Sequence, residues 1–219
     1  MKSKNIKKLI MFCILFVLII FVSIIFVINS FNTIALDKQF YKKEFEKYDI
    51  YEKFPGEDID KINSILLEYL YGIRKDYDYT LFDKKEREHL SDVRSVIVKL
   101  NILKNILFII IIPLVSIIYF LDRTNFLLRV YKIFFYSGFF TLVISSVMIL
   151  AIFVGFDILF TIFHKLFFAP GTWVFDYSEN IIKIYPLGFF YDISKEIFIR
   201  IIYNANILIA TGILMFSKK

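Results

Sequence analysis

The sequence predicts an all-α membrane protein with four transmembrane helices and a mainly helical extracellular cap. Three observations predict it. Four apolar blocks each approach the roughly 20 residues that a helix needs to cross a hydrocarbon core. The chain is 58% hydrophobic, above the roughly 45–50% of an ordinary soluble domain, and the excess is concentrated in those blocks. Lysine and arginine gather in short flanks that fall on one side of a four-span topology, where the positive bias marks the cytoplasm.

The first block, Leu9 to Ile28, is interrupted only by Ser23 and follows Lys2, Lys4, Lys7 and Lys8. A signal peptide shares the basic start, but its apolar core is shorter, roughly 7–15 residues. The sole small-residue cleavage candidate, Thr33-Ile34-Ala35, is a poor one, so an uncleaved anchor is expected. The second span runs from Ile102 to Leu121 and holds Pro113, which neighbouring helices can tolerate in a membrane. The third runs from Ile133 to Gly155, and the fourth from Ile197 to Phe216 with Arg200, Asn204 and Asn206 near its start. Arg200 is expected to snorkel. Arg123, Arg129 and Lys132 lie between spans two and three, and Lys218-Lys219 close the chain. Residues 31–100 carry 13 basic and 15 acidic residues and so show no positive excess.

These signals divide the chain into five parts. Residues 1–30 form a cytoplasmic N-terminus and first span, and 31–100 an extracellular cap. Residues 101–155 form spans two and three with a short cytoplasmic loop. Residues 156–196 form an aromatic-rich interfacial extracellular segment, and 197–219 the fourth span and a cytoplasmic C-terminus.

Within the cap, ALDKQFYKKEFEKYDIYEKF reads as helix broken at Pro55-Gly56. Asp58 is placed to cap a helix with the apolar stripe Ile62, Ile65, Leu66, Tyr69 and Leu70, stopped at Gly72. Asp83 and Glu86 form a capping-box pattern, and no glycine or proline interrupts the following helix before Pro113. The spacing therefore predicts one rod running into the second span. In the second outer segment, DILFTIFHKLFF suits an interfacial helix ended by Ala169-Pro170-Gly171, and Asp176 to Tyr185 a short helix stopped at Pro186.

The net charge of +6 comes from clusters flanking apolar blocks, so no nucleic-acid partner is expected. A single cysteine, Cys13, excludes an internal disulfide and a CxxC metal site. No GxSxG, Walker loop or GxGxxG is present, and Ser64, Ser91 and Ser178 sit in no nucleophile turn. His89 and His164 are the two histidines, both expected outside near membrane ends, and imidazole suits proton transfer at neutral pH. The bland reading is two unrelated interfacial histidines with structural hydrogen bonds. Asp92 and Glu86 each stand three residues from His89 and could orient it, whereas Glu86, Arg87 and Glu88 otherwise read as a solvated face. Two histidines and a carboxylate could hold a metal, but no HExxH spacing supports that, and no metal or cofactor is expected. Phe167, Phe168, Trp173, Phe175, Phe189 and Phe190 are either interfacial packing or a substrate wall.

Two blocks carry a family resemblance. One is LFDKKEREHLSDVR, with Phe82, Arg87, Glu88, His89, Asp92 and Val93. The other is FHKLFFAPGTWVFD with the downstream YPLGFF. With the four-span layout, they resemble the bacterial lipoprotein intramolecular transacylases, four-span integral membrane proteins of low-GC Gram-positive bacteria. The resemblance implies transfer of the sn-2 acyl chain of a diacylglyceryl-modified lipoprotein to the α-amine of its N-terminal cysteine, giving a lyso-form lipoprotein. It implies His89 and His164 as catalytic residues at the outer surface of the plasma membrane; beside them, Asp92 is the expected support by its spacing and the six aromatics the expected substrate wall. Diacylglyceryl-modified lipoproteins would be the substrates, within membrane lipid. Nucleophile and electrophile would already share one substrate, so no enzyme serine or cysteine need carry the acyl group. A lipid-ester hydrolase using the same histidines, and a non-catalytic protein whose cap binds a partner, are the alternatives.

Overall fold

The computed structural model describes residues 2–77 and 80–217, without the side chains of residues 2–4. Its α-helices, in chain order, are α1 (Lys2–Ala35), α2 (Lys38–Lys47), α3 (Ile50–Lys53), α4 (Ile59–Leu70), α5 (Lys84–Leu121), α6 (Phe126–Phe167), α7 (Asn180–Ile184) and α8 (Leu187–Ser217). No strand occurs among the described residues. Four of these helices, α1, α5, α6 and α8, are long and apolar enough to cross a membrane. Lys218-Lys219 and the first residue lie outside the described residues.

Packing separates the chain into two units. The first comprises the segment ending at Phe31, Ile102–Ile149 and the segment beginning at Ile197. Its apolar helices pack Met11, Leu18, Ile118 and Ile133 into one cluster and are joined further by small and polar side chains, as is common between membrane helices. Ser23 Oγ donates to the carbonyl of Ser137 (3.2 Å), and Ser137 Oγ to that of Ile19 (3.1 Å), joining α1 to α6. Asn204 Nδ2 donates to Ser30 Oγ (2.9 Å), joining α8 to α1. Gly138 permits close approach of α6 to α8, since a Cβ there would lie 2.7 Å from the Ala205 carbonyl oxygen.

The second unit comprises Asn32–Asn101 and Leu150–Glu196. Here the local sequence rules operate as predicted. Asp58 accepts from the Lys61 N–H (3.0 Å) and opens α4. Gly72, at φ 74°, closes it, with its N–H donating to Tyr69 O and that of Ile73 to Glu68 O, both 2.9 Å. That is the paired bond pattern a left-handed glycine permits. α5 runs unbroken from Lys84 through Pro113, so His89 stands on a rod. The interfacial helix proves continuous with α6, joined across a non-helical Gly155.

α8 begins at Leu187, well before the apolar run expected from Ile197. Pro186 ends α7 and also opens α8, its carbonyl accepting from the Phe189 N–H (2.9 Å), because a proline's fixed φ suits a helix start. The first turns of α8 are amphipathic and bury Phe189 and Asp192. Phe189 packs on Tyr41 and Phe45 of α2, with ring centroids at 5.4 and 6.3 Å. Asp192 receives Lys47, the Tyr48 hydroxyl (2.7 Å) and Lys195 (3.1 Å).

Candidate active site

The site lies wholly in the second unit and is built from the start of α5, the end of α6 and the segment that follows it. Glu86 N–H donates to Asp83 Oδ1 (2.8 Å), and Asp83 N–H donates back to Glu86 Oε2 (2.6 Å). This reciprocal cap fixes where α5 begins and so orients His89, one turn later. His164 stands in the last turn of α6, beyond Gly155. Both imidazoles are 7% exposed, and their ring centroids lie 6.0 Å apart at an interplanar angle of 21°.

Aromatic rings enclose the pair. Phe168 packs against both, at 4.8 Å from His89 and 5.3 Å from His164. Phe175 lies 5.3 Å from His89, Trp173 4.9 Å from His164, and Phe160 4.1 Å from His164. His164 Nδ1 is 2.7 Å from the Phe160 carbonyl oxygen. A carbonyl can only accept, so Nδ1 carries the hydrogen and Nε2 keeps its lone pair. His89 Nδ1 is buried and has no hydrogen-bond partner among the described residues.

Both histidines lie outside the apolar runs 102–121 and 133–155. Burial strips water from the charged form of His89 and, helped by the neighbouring His164, lowers its pKa to about 4. Burial also lowers that of His164, against an opposing pull from the Phe160 carbonyl. The site thus holds two neutral imidazoles in an apolar enclosure. That arrangement can move a proton at an ester whose surroundings are greasy, and it offers little to a charged substrate. Among the described residues no group of three or more histidine, cysteine, aspartate and glutamate side chains could hold a metal.

A family model described as lipoprotein intramolecular transacylase Lit matches residues 7–190. The chain belongs to that family. The lipoprotein intramolecular transacylases are acyltransferases that modify lipoproteins in the membrane, and the chain is a multi-pass membrane protein. Its fold is that of the membrane-integral lipoprotein intramolecular transacylase Lit from Bacillus cereus, with a TM-score of 0.80, 21% identity and 98% of each chain covered. Two further structures of that protein, each with a histidine replaced, match at a TM-score of 0.77 and 20% identity. They cover 99% of this chain and 96% and 98% of theirs. An uncharacterised protein of Aquifex aeolicus is 33% identical over 89 residues, 41% of each chain. The match therefore spans less than half the length of that relative.

The transacylase fold sorts the residues singled out from sequence. It brings together His89, His164, Phe168, Trp173 and Phe175. Phe190 stands one ring further out, 5.4 Å from Phe160. Phe167 is 52% exposed and touches Phe163 rather than the histidines. Phe189 belongs to the α2 aromatic cluster. Asp92 is exposed and forms no hydrogen bond with His89. Glu86, expected on a solvated face, is 1% exposed. Two further contributors escaped the sequence reading, Phe160 and Lys85, whose ammonium stands 4.8 Å over the Phe175 ring. Phe160 stands four residues before His164 on one helix, a spacing that could have revealed it.

Proposed function

We propose that this chain transfers the sn-2 acyl chain of a diacylglyceryl-modified lipoprotein to the α-amine of its N-terminal cysteine, at His89 and His164. The observation that carries this reading is the pair of imidazoles 6.0 Å apart within an aromatic enclosure, close enough for one ester to reach both. The basic flanks of the apolar blocks support a topology with both termini and the Arg129 loop in the cytoplasm and the histidines at the outer membrane surface.

The two rings divide the work. His164, with Nδ1 held by the Phe160 carbonyl, presents Nε2 to the cysteine amine as it attacks the ester carbonyl. The proton it takes is balanced by that same carbonyl, and it passes to the departing glyceryl oxygen. His89 stays neutral and donates its one N–H toward the developing carbonyl oxyanion, a role that suits an imidazole whose burial disfavours the cation. Phe168, Trp173 and Phe175 hold a flexible lipid in the attacking geometry, where orientation contributes several kcal/mol.

The test is mass spectrometry of a lipoprotein's N-terminal peptide formed with each enzyme variant. His89→Asn and His164→Asn should each abolish the N-acylated lyso-form, and the double variant should be little worse than either. Free fatty acid as the main product of the unaltered enzyme would favour a hydrolase, and full transfer by either histidine variant would refute the mechanism.

A further inference from the structure

The first turn of α5 carries two charged side chains that the histidine chemistry does not use. Each carboxylate oxygen of Glu86 accepts one backbone N–H, Oε2 from Asp83 (2.6 Å) and Oε1 from Ile181 (2.7 Å). The second bond reaches the first turn of α7, which is distant in sequence. Beside it, Asn180 Nδ2 donates to the Leu81 carbonyl (2.6 Å). Lys85 grips the same stretch from its solvent side. Its ammonium donates to the Val174 carbonyl, lies 3.6 Å from Glu179, and stands 4.8 Å over the Phe175 ring.

Between these anchors run Trp173 and Phe175, the rings that meet His164 and His89. The segment from Phe168 to Glu179 contains no helix or strand. Its outward side chains Val174 and Tyr177 are 57% and 93% exposed. Such a strap has little core of its own, and what fastens it is the polar attachment to Lys85 and Glu86.

Resting on the function proposed above, we propose that Lys85 and Glu86 are positioning residues that hold the strap against the histidines, and that the strap decides whether the acyl group passes to the amine or to water. In transfer, the amine nitrogen bonds to the ester carbonyl carbon and the bond to the sn-2 glyceryl oxygen breaks. A proton moves from nitrogen to that oxygen. In hydrolysis, the oxygen of water makes the new bond, the same ester bond breaks, and a fatty acid leaves with the amine still free. One histidine base serves both reactions, so chemistry alone does not separate them. The separation comes from keeping water off the rings, which a fixed aromatic wall does.

The experiment uses the full chain in detergent with a synthetic diacylglyceryl-modified peptide bearing an N-terminal cysteine. Mass spectrometry counts N-acylated lyso-peptide against free fatty acid. Glu86→Gln leaves one accepting oxygen where two are needed. Lys85→Ala releases the outer grip, and the Lys85 side chain is 43% exposed, so its removal leaves the fold intact. Each variant should raise the ratio of hydrolysis to transfer about tenfold, the scale of one lost hydrogen bond to a charged group. Adding His89→Asn to either should silence both products. An unchanged ratio in Lys85→Ala and in any folded Glu86→Gln overturns the proposal, whatever happens to the total rate, because a purely structural cap lowers both products together. Persistence of both products in the His89→Asn variants would instead refute the catalytic reading on which it rests.

Discussion

His89 and Asp192 lie at nearly the same depth in one unit, 7% and 6% exposed, yet they are treated in opposite ways. Asp192 is saturated, with Lys47, Tyr48 and Lys195 all donating to its two oxygens. Among the described residues His89 Nδ1 has no hydrogen-bond partner, and the ring is flanked by Phe168, Phe175 and the His164 imidazole. Burying a polar group costs free energy unless its hydrogen bonds are replaced. At Asp192 they are replaced, so the cluster fastens α8 to α2. At His89 the cost stands uncompensated, which is what a group reserved for substrate looks like. Gly188 belongs to the fastening region, since a Cβ there would come within 2.5 Å of the Tyr48 hydroxyl.

The contrast is sharpest in the histidine variants. His89→Leu removes an unpaired polar atom and fills a similar volume with an apolar one. Turnover should fall by about 10²–10³-fold, the scale of one lost oxyanion donor, with the thermal unfolding midpoint in detergent no lower than that of the unaltered chain. A variant that melted well below the original while still turning over would reverse the comparison, making His89 structural.

Asp192→Asn should give the opposite outcome. It strips the charge that Lys47 and Lys195 face, leaving two ammonium groups with weaker partners. The Lys47 and Lys195 side chains are 48% and 34% exposed, so water recovers part of the loss. The expected cost is about 1–2 kcal/mol in chemical denaturation. The folded fraction should keep its rate within about threefold, since no reacting atom is touched. A rate loss as large as that of His89→Leu would join the two regions into one functional unit.

What the sequence made legible, and what it did not, follows the same division. Local rules located the caps at Asp58 and Asp83, the stop at Gly72 and the continuous rod of α5, because each depends on neighbours within one or two turns. The convergence of His89 and His164 was legible through topology and family resemblance. Glu86 was misread as solvated because it sits in the charged run KKERE, while its second partner, the Ile181 N–H, lies 95 positions away. The Lys47–Asp192 pair, 145 positions apart, was invisible for the same reason. The early start of α8 was hidden because its first turns are amphipathic rather than uniformly apolar. Asp92 shows the limit of spacing, since three positions along a helix set proximity but not which face is covered.

Proton linkage provides the finest test of the comparison. In the unfolded chain His89 takes up a proton near its ordinary pKa of about 6.5, whereas in the fold this occurs only near pH 4. Between those values the unfolded chain binds more protons, so stability rises with pH in that window and is lost as pH falls through it. Above about pH 7 both states are neutral at this ring and the effect vanishes. Lowering the pH from 7 to 5.5 should therefore cost about 1 kcal/mol through His89, with His164 acting in the same direction. Denaturation midpoints at the two pH values measure it. His89→Leu should flatten most of the slope, and Asp192→Asn should keep it. An unaltered slope in His89→Leu would mean that the ring is as well solvated as a surface histidine, and the distinction between an unpartnered site and a saturated one would fail at its first member.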